Sequence, residues 1–174
     1  MPQVNREQRG PFQVLVLCTG NSARSQMAEA IFNKLGAGRV VAESAGSQPA
    51  ARVNPLALET LADHGIAWTG HPPRGIDGLE RKPWDFVITV CDKAREACPF
   101  FPGQPMLAHW GMPDPAEVAG DEAARRAAFR DAFLLLRRRV ELMLALPMEK
   151  LERMALEARV RAIGATTAGD QPPD

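Results

Sequence analysis

The 174 residues carry 21 basic and 21 acidic side chains, a formal net charge of zero at neutral pH, with 45% hydrophobic and 24% charged residues. That is an ordinary globular composition, long enough for one complete core, and its balanced charge excludes the basic face of a nucleic-acid or acidic-membrane binder. The uninterrupted apolar runs, such as Val14–Cys18 and Phe133–Leu136, fall far short of the roughly 20 residues of a membrane-spanning helix, and the polar N-terminus has no apolar signal core. A soluble, cytoplasmic protein is expected, a monomer in preference to an oligomer.

Residues 1–11 have no apolar period and read as a flexible N-terminal arm. Phe12–Cys18 is a continuous run of β-favouring residues, the pattern of a strand buried on both faces in a parallel sheet. It stops at Thr19-Gly20-Asn21-Ser22, after which Ala28, Ile31, Phe32 and Leu35 recur at helical spacing, with Gly36 and Gly38 as stop signals. Arg39–Glu43 predicts a second strand, ending in Ser44-Ala45-Gly46. Asn54 as cap and Pro55 at the first helical position open a second helix that runs to His64-Gly65. Thr69–Pro83 is a Gly- and Pro-rich loop, Asp85–Cys91 a third buried strand, and Met106–Trp110 a fourth.

Asp121 opens a long helix with Phe129, Phe133, Leu136, Val140, Met143 and Leu144 as its apolar stripe, interrupted at Pro147. The charge run Arg137–Arg139 on it reads as solvated. Leu151, Met154, Ala155, Ala158 and Ala162 then predict a last amphipathic helix that packs on its own domain, and Gly164–Asp174 a disordered tail. The alternation predicts an α/β fold: a small four-stranded parallel sheet flanked by helices over residues 12–146, followed by a C-terminal helix and tail over 147–174.

Ligands of open α/β sheets bind at the carboxyl ends of the strands, and Cys18 ends the first strand. Arg24 follows at Cys-x5-Arg spacing, near a helix start. Thr19, Gly20, Asn21, Ser22, Ala23, Arg24 and Ser25 therefore form a loop whose backbone N–H groups can converge on a tetrahedral oxyanion, with the Arg24 guanidinium binding two of its oxygens. The same field predicts a Cys18 thiolate at neutral pH, the range for such sites being roughly 3.5 to 7.5. Asn21 and Ser25 either bond the sulfur or serve only turn and cap. Three cysteines, Cys18, Cys91 and Cys98, are an odd number without zinc-ligand spacing, and read as reduced thiols with a chemical task. Cys91, at the end of the third strand, opens onto the same rim, and Cys98 follows a segment that can form a mobile helical turn. His64, His71 and His109 are too scattered to suggest a metal.

The stretch Val14–Glu29 resembles the phosphate-binding loop of the low-molecular-weight protein tyrosine phosphatase superfamily, and specifically of its thioredoxin-coupled arsenate reductases. Val90-Cys91, Cys98-Pro99, His109-Trp110-Gly111 and Asp114-Pro115 extend the resemblance over roughly Gln13–Leu146. It implies a low-molecular-weight phosphotyrosine phosphatase-like fold that reduces arsenate to arsenite. Cys18 is then the nucleophile, Cys91 and Cys98 the second and third thiols and the redox disulfide, Asp114 the general acid, and thioredoxin the partner that regenerates the enzyme. No cofactor beyond an external thiol reductant is expected. Some relatives hold potassium near the loop; Glu29 and Ser44 match such a site, but His71-Pro72-Pro73-Arg74 replaces its oxygen donors, so no metal is expected. Phosphatases of this superfamily usually carry aromatics after the Asp-Pro, where this chain has Ala116-Glu117-Val118 and no tyrosine anywhere. A phosphomonoester hydrolase and a non-catalytic thiol sensor of metalloids or redox state are the alternatives.

Overall fold

A computed structural model describes residues 10–167. Most of the expected arm, and the end of the expected tail, lie outside the described residues. In chain order come β1 (Phe12–Cys18), α1 (Arg24–Leu35), β2 (Val40–Gly46), α2 (Pro55–Asp63), β3 (Phe86–Thr89), α3 (Asp92–Glu96), β4 (Met106–His109), α4 (Glu122–Leu144) and α5 (Arg153–Ile163). The strands form one parallel sheet in the order β2-β1-β3-β4. Val14, Leu15, Val16 and Leu17 are all fully buried. Successive side chains of a strand point to opposite faces, so both faces of β1 are covered.

Helix α1 lies along β1 and β2, α4 packs on α1 and α2, and α5 covers β4 and touches α4. Met27, Ala28, Ile31 and Phe32 are the buried side of α1, while Leu35, last of its expected stripe, is exposed. The Asn54 side chain accepts the Leu56 N–H at 2.9 Å and Pro55 begins α2. Asp121 caps α4 through the Ala124 N–H at 2.8 Å.

Several expectations are corrected. Strand β2 runs on through Ser44-Ala45-Gly46, because these residues pair with Val16, Leu17 and Cys18. Gly46 is required there: a Cβ would collide with the Thr19 carbonyl oxygen. Strand β3 ends at Thr89, so Cys91 is not the end of a strand but the cap of α3, its sulfur accepting the Ala94 N–H at 3.4 Å.

Arg139 is not solvated; it is 4% exposed. It shares the inward side of α4 with Leu136, Val140 and Met143, spacings that fall on one helical face. The buried side of α5 is Leu156, Val160 and Ile163 rather than the expected Met154, Ala155, Ala158 and Ala162, which are exposed. The two sets lie on different sides of the same helix, and the larger branched side chains take the core because they remove more apolar surface from water than alanine. Gly164 and Thr166, expected in the disordered tail, have their carbonyls held by Arg139 at 3.1 and 3.3 Å.

Candidate active site

The loop between β1 and α1 is shaped from outside. The carbonyls of Cys18, Thr19, Gly20 and Ser22 accept hydrogen bonds from the N–H groups of Ser47, Gln48, Ala50 and Asn54, at 3.2, 2.9, 2.9 and 2.8 Å. In a planar trans peptide the following N–H points opposite to the carbonyl. The N–H groups of Thr19, Gly20, Asn21 and Ala23 are thereby turned away from that segment, and the one on Asn21 ends on the Cys18 sulfur at 3.1 Å. The arrangement is a nest of the kind that holds anions, leading into the N-terminus of α1.

Asn21 fixes the curl. Its φ of 50° is left-handed, a conformation that asparagine tolerates better than most residues. It is completely buried. Its Nδ2 donates to Ser25 Oγ at 2.8 Å and Ser44 Oγ at 2.9 Å, and its Oδ1 accepts the Arg74 N–H at 3.1 Å. Gln26 Nε2 donates to the Asn21 carbonyl at 3.2 Å and to the His71 carbonyl at 3.0 Å. Because Ser25 Oγ accepts from Asn21, its own hydrogen is available to Cys18 Sγ, 2.8 Å away. Both residues therefore bond the sulfur as well as shaping the loop.

Cys18 is 3% exposed, and burial pushes its thiol above the ordinary cysteine value. The Ser25 hydroxyl, the N–H groups of Ser25 and Asn21 and the Arg24 charge pull the other way without cancelling it. The sulfur sits deeper than a strand end alone implies, and the Arg24 guanidinium is turned to the Met112 carbonyl at 2.9 Å and to Asp114 at 3.6 Å.

Asp114 uses both carboxylate oxygens. Oδ1 accepts the Ala116 N–H at 2.9 Å, capping a short 3₁₀ turn over Pro115–Glu117, while Oδ2 faces Arg24. The one carboxylate thus caps the turn and also reaches Arg24. Thr19, Arg24, Cys91, Met112 and Asp114 line one cavity of about 780 Å³. Cys91 joins the loop through Thr19, whose Oγ1 shares a 3.2 Å hydrogen bond with the Cys91 sulfur.

Cys98 is placed differently. It lines a separate cavity of about 570 Å³ with Val87, Thr89, Arg95, His109 and Arg161. Among the described residues its sulfur makes one hydrogen bond, donating to Pro99 O at 3.7 Å, while the side chain packs against the core, and burial pushes its thiol upward too. All three thiols are free. His109 Nδ1 meets Thr89 Oγ1 at 2.7 Å and its Nε2 meets Asp92 at 3.1 Å, joining β4 to the start of α3. His64 stacks on Phe133 at the end of α2.

Glu29 is paired with His71 at 3.2 Å, and burial pushes its carboxyl upward against the pull of that histidine. Ser44 is occupied by Asn21, and Arg74 Nε donates to the Ser44 carbonyl at 3.0 Å. Protein cations and amides thus meet the oxygen groups around the loop. Among the described residues no three His, Cys, Asp or Glu side chains cluster as metal ligands.

Gln26, Arg74 and Met112 are not among the residues expected at the site. Met112 contributes a carbonyl, which no residue type announces, and Gln26 and Arg74 join the loop through the contacts Gln26–His71 and Arg74–Asn21, remote in sequence.

The family profile described as low molecular weight phosphotyrosine protein phosphatase matches residues 13–155. An arsenate reductase of Halalkalibacterium halodurans is 37% identical over 117 residues, covering 67% of this chain and 84% of its own. A solved arsenate reductase in its phosphate binding state superposes with a TM-score of 0.66 at 29% identity, over 77% of this chain and 97% of that one. A thioredoxin-dependent arsenate reductase of Corynebacterium glutamicum superposes with a TM-score of 0.53 at 26% identity, over 78% of this chain and 64% of that one. With its four-stranded parallel sheet and its loop from Cys18 to Arg24, the chain belongs to the low molecular weight phosphotyrosine protein phosphatase family, in the company of bacterial arsenate reductases.

Proposed function

We propose that this protein reduces arsenate to arsenite through a relay of its three thiols and is regenerated by thioredoxin. The observation that carries the proposal is the pairing of two sulfurs at one oxyanion nest, Cys18 inside it and Cys91 tied to its rim through Thr19 at 3.2 Å. A phosphatase needs only the first of these. The similarity to proteins named arsenate reductase supports the choice of oxyanion, and the thioredoxin-dependent neighbour supports the choice of reductant.

Arsenate binds to the loop N–H groups and Arg24. The Cys18 sulfur attacks arsenic, and any proton it carries passes to an oxygen of the bound arsenate. The sulfur–arsenic bond forms as a second proton, from Asp114, reaches the departing oxygen, which leaves as water. Cys91 then attacks the Cys18 sulfur. The new disulfide takes the place of the sulfur–arsenic bond, whose electron pair passes to arsenic and reduces it from the pentavalent to the trivalent state. Cys98 displaces Cys18 from Cys91, and an external dithiol reduces the resulting bridge. A disulfide needs Cα atoms roughly 5.5 to 6 Å apart. For that, α3, only five residues long, has to give up the cap that Cys91 supplies.

Exposure of the reduced protein to arsenate should remove two thiols and release one arsenite, with the crosslink mapping to Cys91 and Cys98. Cys98→Ser should release about one arsenite per molecule and then stop. Sustained turnover of that variant with thioredoxin would refute the relay. Hydrolysis of an aryl phosphate without reductant, indifferent to loss of Cys91, would instead identify a phosphomonoester hydrolase.

A further inference from the structure

Arg139 is a charged side chain, 4% exposed, whose hydrogen bonds among the described residues all run to backbone carbonyls. One terminal nitrogen donates to Trp110 O at 2.8 Å and Gly111 O at 3.2 Å; the other donates to Gly164 O at 3.1 Å and Thr166 O at 3.3 Å. Its Nε is buried without a hydrogen-bond partner among the described residues. A guanidinium placed in this way costs desolvation, so a methionine of similar length would serve packing alone better. The contacts join two stretches of chain: the start of the loop that carries Asp114, and the segment after α5.

The same two stretches touch independently of Arg139. Trp110, fully buried, donates its indole N–H to Val160 O at 3.0 Å, and Arg161 Nε donates to Leu107 O at 3.0 Å. Gly164 lies so close to the His109 carbonyl oxygen that a Cβ would collide with it. One residue past Gly111, the Met112 carbonyl receives the Arg24 guanidinium at 2.9 Å, and two further on Asp114 faces Arg24 at 3.6 Å. A continuous set of contacts therefore runs from the chain end through Arg139 and Gly111 to the two charged groups of the oxyanion site. Residues 156–166, which supply the far end, follow the stretch matched by the family profile, which stops at 155.

We propose that Arg139 is a positioning residue, and that it and the chain from α5 to Thr166 clasp the Trp110–Asp114 loop, setting where Arg24 and Asp114 stand over the oxyanion nest. The proposal rests on the oxyanion-site reading of Cys18 and Arg24. Lysine at 139 is a point charge that cannot reach four carbonyls arranged in two pairs, and methionine reaches none.

The test uses the full chain and inorganic phosphate as probe, reading alkylation of Cys18 by iodoacetamide through the mass of its peptide. Arg139→Lys and Arg139→Met are compared with Gly164→Ala, which pushes the clasp off β4 without substituting Arg139 or any residue of the loop. Misplacement of a binding group by about 1 Å is enough for a large loss. The phosphate concentration giving half-protection should therefore rise about tenfold in Arg139→Met and Gly164→Ala, and less in Arg139→Lys. Alkylation without phosphate should not exceed the parent rate, as it would if the fold were generally loosened. Should the parent itself gain no protection from phosphate, the oxyanion-site reading fails. If the parent is protected and the variants match it within about twofold, or if free alkylation accelerates in step with lost protection, the clasp is overturned.

Discussion

Cys18 and Cys98 are both pushed toward the thiol form by burial, yet the protein treats them in opposite ways. Around Cys18 every neighbour is fixed: Ser25 at 2.8 Å and the Asn21 N–H at 3.1 Å hold the sulfur, and Asn21 is itself held by Ser44 and Arg74. Cys98 has one long contact to the next residue's carbonyl, follows a five-residue helix and faces a cavity of about 570 Å³. A group that must meet a transition state needs pre-organisation, whereas a group that must travel between partners needs few ties. Cys91 stands between these cases, bonded to Thr19 of the loop on one side and capping the five-residue helix α3 on the other.

Removing the two sulfurs gives the widest contrast. Cys18→Ser should lower arsenite release by about 10³-fold or more even in a single turnover, since the nucleophile itself is gone. Cys98→Ser should keep the first turnover and lose only the later ones. If rapid quench shows both variants equally defective in the first turnover, Cys98 does not act after Cys18.

Arg24→Lys comes next. The substitution keeps the charge but removes the fork that grips two oxygens and reaches the Met112 carbonyl. A loss of about 10²-fold in kcat/KM is expected, with little change in the alkylation of Cys98. An equal change at both thiols would show that Arg24 acts on the whole fold.

Asn21→Ala tests how far the fixed side depends on one amide. The change strands Ser44 and removes a residue suited to φ of 50°, so unfolding should need about 1 to 3 kcal/mol less, read from urea midpoints. The thiol supplies a pH dependence in the same experiment. A folded-state value raised above the unfolded one, which is about 8.5, means that the fold binds this proton more tightly. The stability so contributed is complete below about pH 8.5 and falls as the pH rises from there through the folded value. Cys18→Ser should then lose less stability than the parent between pH 7 and 9.5; a parallel decline would mean that the thiol is not shifted upward.

The fixed side was legible in the sequence because its signals are local. An apolar run, a turn cluster and a helical period within Phe12–Leu35 place Cys18, Asn21, Arg24 and Ser25 without knowledge of the rest of the chain. The four parallel strands followed from the same kind of pattern. What escaped was set by contacts distant in the chain. Cys91 looked like the end of a strand because Val90 and Cys91 continue the apolar run, yet β3 stops at Thr89 and the sulfur turns to cap α3. Arg139 reads as solvent-facing in Arg137–Arg139, since its four carbonyl partners lie more than 20 positions away. The depth of the Cys18 sulfur escaped for a related reason: a motif reports charges and dipoles, while burial is a property of the completed fold.

The smallest effect concerns how firmly the movable side is tethered. Asp92, 87% exposed, is bound to His109 at 3.1 Å, and by its place in the first turn of α3 it also favours the helix N-terminus. An exposed pair of this kind contributes about 0.2 to 1 kcal/mol, so Asp92→Asn should hardly change the overall urea midpoint. The tie nevertheless joins the very segment that lies between Cys91 and Cys98 to β4, and in the proposed relay opening that segment precedes their disulfide. A loss of about 0.6 kcal/mol there corresponds to about threefold faster closure of the bridge by a diffusible oxidant such as diamide, with alkylation of Cys18 unchanged. Slower closure in Asp92→Asn would mean that the His109 contact guides α3 toward the bridged arrangement instead of restraining it, and the contrast between a fixed thiol and a free one would then have to be drawn at Cys91.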